Sequence, residues 1–195
     1  MTGFRAVTAL CGVLLLAACG GAEPRWASDD VVSRAVYQHP GPTSITLFTA
    51  RGRDGSGAHT GLLINGSQRV VFDPAGNFAH ASFAERNDVI FGMTDSMLET
   101  YIAFYTNENL ELLSQTLIVP PQTAEQIMQA AMAYGAVPKA HCAQSVTDIL
   151  QDIPGFESLP RTWFPMRLHR AFAELPGIQS RLYERDIAEG IEAPR

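Results

Sequence analysis

A chain of 195 residues with 46% hydrophobic and 17% charged content has the length of one compact domain and enough apolar material for a packed core. Its formal net charge is −6 and its basic residues form no long run. That argues against nucleic acid as a partner, because such binding depends on clustered Lys and Arg.

The first eighteen residues read as a segment to be removed. Arg5 supplies a small positive region, and residues 6–18 form an apolar stretch too short to span a bilayer as a mature helix. The quartet Leu16-Ala17-Ala18-Cys19 then resembles the lipobox of bacterial lipoproteins. The resemblance implies a signal peptide over 1–18, cleavage before Cys19 and a lipid on its thiol, which anchors the domain without a transmembrane helix. Gly20 after the cysteine points, by analogy with enterobacterial sorting, to the outer membrane with the domain facing the periplasm. Cys11 leaves with the signal and Cys19 is acylated, so Cys142 is the one free thiol of the mature chain. A lone cysteine in an oxidising compartment is either buried and inert or kept for its chemistry.

Residues 19–42 are rich in Gly and Pro and read as a tether with a short helix near 28–37; the folded domain is expected over 43–195. A strand begins at Ile45, a Gly-rich loop follows at 52–57, and a second strand runs from 58 to 64. A turn at Asn65-Gly66-Ser67 leads into a third strand ending at Asp73-Pro74. Further extended segments fit Asp88–Met93 and Leu112–Val119. Helices are expected from capping boxes at Ser96–Glu99 and Thr123–Gln126, from His141-Cys142 onward with Val146, Ile149 and Leu150 inward, and from Pro165 to about 175 as a C-terminal helical extension. Leu98, Tyr101, Ile102 and Tyr105 form the apolar stripe of the first of these. The fold class is α+β, with an antiparallel sheet first and helices mostly after it.

Cys142 falls in the first turn of a helix, where unsatisfied N–H groups and the positive end of the dipole stabilise a thiolate. The bland alternative is a small buried hydrophobe. Of the five histidines, His59 opens an apolar strand, and Gly61 two residues on clears space on the same face. His39, His80 and His169 read as surface residues, and His141 adjoins Cys142 but points about 100° away from it.

The string Ala58-His59-Thr60-Gly61-Leu62-Leu63-Ile64, followed by His141-Cys142-Ala143-Gln144-Ser145-Val146, resembles the circularly permuted papain-like group related to NlpC-type amidases and lecithin–retinol acyltransferases. The likeness spans about residues 45–152, and it departs from many members in having His141 where they have Asn. It implies a papain-like antiparallel sheet with the nucleophile helix packed against it, His59 as general base and Cys142 as nucleophile of a thioester mechanism. It also implies an amide or ester substrate, either a peptidoglycan stem peptide or an acyl lipid.

A third polar group should orient the imidazole. A two-residue turn places Phe72 opposite His59. A three-residue loop, Asn65 to Ser67, places Asp73 there, and Asp73 is the expected carboxylate, although Asp-Pro at a strand end is equally a turn signal. No metal-ligand spacing, Cys-x-x-Cys or phosphate loop is present, so no metal or cofactor is expected. Arg161, Arg167, Arg170, Arg181 and Arg185 form a basic stretch beside Trp163 and Phe164, which suits anionic lipid or polymer but equally a solvated face. The rival reading of the whole is a non-catalytic papain-like lipoprotein that binds envelope partners.

Overall fold

The computed structural model describes residues 21, 22, 24–79, 82–107 and 109–184. The expected signal peptide, Cys19 and His80 lie outside the described residues.

The architecture is a seven-stranded antiparallel sheet covered by helices on both faces. In chain order it runs α1 (Asp29–Arg34), β1 (Ser44–Gly52), β2 (Gly57–Asn65), β3 (Arg69–Phe72), β4 (Ala84–Arg86) and β5 (Val89–Phe91). It continues with α2 (Asp95–Tyr105), β6 (Leu110–Ile118), α3 (Pro121–Tyr134), α4 (Cys142–Gln151), α5 (Pro165–Ala173) and β7 (Gln179–Tyr183). The strand order is β4-β5-β3-β2-β1-β6-β7.

Strand alternation divides the core in two. Ile45, Leu47, Leu62, Ile64, Val70 and Phe72 point to one face and pack against Ala124, Ile127, Val146, Leu150, Leu168 and Phe172 of α3, α4 and α5. Phe48, Ala50, Leu63, Val71 and Leu112 point to the other, where they meet Tyr101 and Tyr105 of α2. The central strands therefore show continuous burial rather than alternation.

Several expectations need correction. The hairpin loop between β2 and β3 is Gly66–Gln68, not Asn65–Ser67, so Leu62 faces Phe72 and, by continuation, Gly61 rather than His59 lies opposite Asp73. The offset is two residues, and a shift of two leaves every side chain on its own face, so Asp73 still lies on the same side as His59.

Residues 24–42 are not a bare tether. Ala27, Val32 and Ala35 pack against the core, Trp26 bridges to Arg86, and the Arg69 N–H donates to the Tyr37 carbonyl. The C-terminal extension also supplies a strand, β7, which joins the sheet beside β6.

Both capping boxes are displaced. Thr94, not Ser96, caps α2 by accepting the Met97 N–H, and α3 starts with Pro121 in its first turn, where the missing N–H costs nothing. Tyr134 is exposed at the end of α3.

Candidate active site

The three residues singled out by the sequence meet at one end of the sheet. Strand β3 stops at Phe72 because Pro74 cannot donate to a ladder, whereas β2 continues to Gly57. The part of β2 that extends past β3, from His59 to Gly61, has an open edge, and the first turn of α4 occupies it. The backbone N–H of Thr60 donates to the Cys142 sulfur, as does the N–H of Ala143. Two hydrogen bonds to sulfur thus come from main chain.

His59 projects toward α2. Its Nε2–H donates to Asp73 Oδ1 at 2.7 Å, and the ring also hydrogen-bonds the Cys142 thiol, which the remaining nitrogen, Nδ1, is free to do. Asp73 is buried and accepts two further hydrogen bonds, from the Tyr101 hydroxyl at 2.7 Å and from the Tyr105 hydroxyl at 2.9 Å. The Tyr105 ring lies parallel to the imidazole, with centroids 5.0 Å apart. Burial first, then the Asp73 charge, raises the pKa of both phenols, so they stay protonated and act as donors. A Cβ at position 61 would overlap the Tyr101 hydroxyl and crowd Asp73. The space that Gly61 clears beside His59 is therefore taken by this phenol and carboxylate.

The two tyrosines are the functional residues that sequence reasoning missed. Their i, i+4 spacing was read as an apolar stripe. The signal was available: two phenols on a buried face each need a hydrogen-bond partner, and the same spacing aims both hydroxyls at one point.

The electrostatics favour an ion pair. Burial alone would depress the imidazole, but the Asp73 charge and hydrogen bond, with the Cys142 contact, outweigh it and raise His59 to about 10. Burial pushes the Cys142 thiol up, yet its hydrogen bond to His59, the imidazolium charge and the two backbone N–H groups bring it below its ordinary value. Imidazolium and thiolate stabilise one another here.

The thiol and imidazole open into a cleft of about 360 Å³ whose walls are Ala75, Gly76 and Asn77 on one side and Phe104, Tyr105 and Leu110 on the other. Two residues at its rim hold left-handed backbone without being glycine: Ala75 at φ 56° and Ala140 at φ 68°. Each costs on the order of 1 kcal/mol, and such strain tends to collect at functional sites. Asp88 ties the Ala75 wall to the segment before Cys142. Its carbonyl accepts the Asp73 N–H at 2.8 Å, and its carboxylate accepts the N–H groups of Ala75 and, at 2.7 Å, Val137 in the loop leading to Cys142.

No protein-family model, no curated protein and no solved structure matches the chain. The site is therefore read from its own geometry. Among the described residues, no group of three His, Cys, Asp or Glu side chains is placed to hold a metal ion.

The other described histidines stand apart. His39 bonds the Arg69 guanidinium at 2.8 Å. His141 precedes α4 without capping it; its Nδ1 is 2.9 Å from the Lys139 carbonyl, and its ring lies 4.2 Å from that of Trp163. His169, expected at the surface, is partly buried, and burial together with Arg51 and Arg170 lowers its pKa.

Proposed function

We propose that the protein is a thiol hydrolase of the cell envelope, papain-like in fold and reversed in catalytic order, with Cys142 as nucleophile, His59 as its acid–base partner and Asp73 as the group that orients the imidazole. One observation carries the reading. A single imidazole is hydrogen-bonded through Nε2 to a buried carboxylate and also hydrogen-bonds the lone thiol at the start of a helix. An inert core cysteine would require neither contact.

The chemistry follows from these positions. The thiolate attacks an amide or ester carbonyl, and the oxyanion is received by N–H groups in the first turn of α4, which have no helical partner. As the tetrahedral species collapses, the imidazolium gives its proton to the departing amine or alcohol and an acyl thioester remains. Water, deprotonated by the now neutral His59, attacks that thioester. The carboxylic acid leaves, and the thiolate–imidazolium pair is restored. The substrate is an acyl compound of the envelope, a peptidoglycan stem peptide or an acyl lipid, reached by a domain anchored through Cys19.

The test is alkylation by iodoacetamide at pH 6. An ordinary thiol with a pKa of about 8.5 reacts slowly there, whereas the paired thiolate reacts at close to its neutral-pH rate. An ordinary thiol profile, unchanged in His59→Ala, would leave the non-catalytic binding reading in its place.

A further inference from the structure

The cleft end of the sheet also gathers the exposed aromatic side chains. Phe72, where β3 stops beside the site, pairs with Val89, and Val89 pairs with Arg86, so the end of β4 lies at the same end of the sheet as His59. Trp26 bridges Arg86 there, its ring 4.8 Å from the guanidinium, and is 70% exposed. Phe104, 44% exposed, forms part of the cleft wall. Gly57, where β2 begins, is packed against Pro165, and the two residues before that proline are Trp163, 51% exposed, and Phe164, 68% exposed. Both tryptophans of the chain therefore stand at the catalytic end, while the opposite end of the sheet, where Ser44 meets Ile118, carries neither.

The chain enters at this same end. Gly21 lines a small polar pocket that shares Ala75, Gly76 and Asn77 with the cleft. Cys19 is two residues earlier, which limits its distance from Gly21 to about 7 Å. An attachment there holds the catalytic end, not the far end, against the membrane.

We infer that this end of the molecule docks on a lipid bilayer, with the exposed rings of Trp163, Phe164, Phe104 and Trp26 entering the interfacial layer. Amphipathic aromatic rings prefer that layer. The contact is made by these rings, so docking does not require anionic headgroups. The cleft then opens onto the membrane surface, and the bond cleaved lies there. This extends the proposed function, but it is read without turnover.

The experiment uses the full chain on phosphatidylcholine vesicles, with Trp26→Phe leaving Trp163 as the single tryptophan. Docking predicts a blue shift of Trp163 emission, quenching by bromine-labelled acyl chains and protection from acrylamide, all retained at high salt. Adding Phe164→Asp should reverse much of that protection while the chain still sediments with the vesicles. A protein that sediments with vesicles but leaves Trp163 open to acrylamide and unquenched by bromolipid would overturn the inference, as would protection by purified peptidoglycan alone. Cys142→Ala should dock as the parent does. An active enzyme that fails to dock sinks only this inference, and an inactive one that docks sinks only the proposed hydrolase.

Discussion

The two faces of the sheet supply the site by different means. On the α2 face, a buried carboxylate is surrounded by three side-chain donors, from His59, Tyr101 and Tyr105, so the imidazole is held by a saturated polar network. On the face of α3, α4 and α5 the packing is apolar; the hydroxyls of Thr49 and Thr60 find no partner among the described residues, and main-chain amides reach the thiol. The imidazole is oriented by side chains, the thiol by backbone. The halves touch only because β3 stops early.

That difference can be broken at each point. Cys142→Ser should remove thiol labelling and lower turnover by roughly 10⁴-fold or more, as loss of a triad member does, measured with any acyl substrate the enzyme accepts. His59→Ala separates the faces. The thiol should remain in place but alkylate at pH 6 about a hundredfold more slowly, the rate of an unassisted cysteine. If the rate is unchanged, the backbone alone sets the sulfur's reactivity.

Asp73→Asn leaves the tyrosine hydroxyls and the imidazole competing for one amide oxygen. Denaturant unfolding should show a loss of about 2–4 kcal/mol, because buried polar groups lose their partners. Tyr105→Phe keeps the ring against His59 and deletes only the hydroxyl. It should cost about 1 kcal/mol and slow alkylation far less than Asp73→Asn.

Two pH effects sharpen the same contrast. The His59 proton is held in the fold up to about 10 against an ordinary 6.5, so its contribution to stability is complete below pH 6.5 and is lost as pH rises through about 10. Urea midpoints should therefore fall over that range in the parent and not in His59→Ala. Asp88 behaves in the opposite sense to a paired carboxylate. Burial raises it to about 6 from 3.8, so the fold holds this proton more tightly than the unfolded chain does, and its share of stability falls as pH rises from about 4 to 6. Asp88→Asn, at a turn position of φ 68° that Asn tolerates, should flatten that small slope.

The parts legible in the sequence were those with a local signature. His59 beside Gly61 on a strand, Cys142 at a helix start and Asp73 before a proline each carry their reason in a few neighbouring residues. The register of β2 and β3 was misread by two because Asn65-Gly66 is a strong hairpin signal, whereas the loop that forms is Gly66–Gln68, with the Glu125 side chain of α3 accepting the Ser67 N–H. Strands β4 and β7 were missed for a related reason. Three residues of β4 and the exposed residues of β7 show no periodicity of their own and are strands because a neighbour offers an edge. Tyr101 and Tyr105 call for a shared polar partner by their spacing alone, but that the partner is Asp73 no window along the chain reveals.

The amide of Thr60 bears on how such a centre could be altered. Because the group that reaches the sulfur belongs to the peptide bond, none of the twenty amino acids except proline can delete it, and proline would also disturb the pairing of Thr60 with Thr49. Separating its influence from that of the imidazole calls for semisynthesis, with an ester oxygen put in place of that single nitrogen and every side chain left as it is.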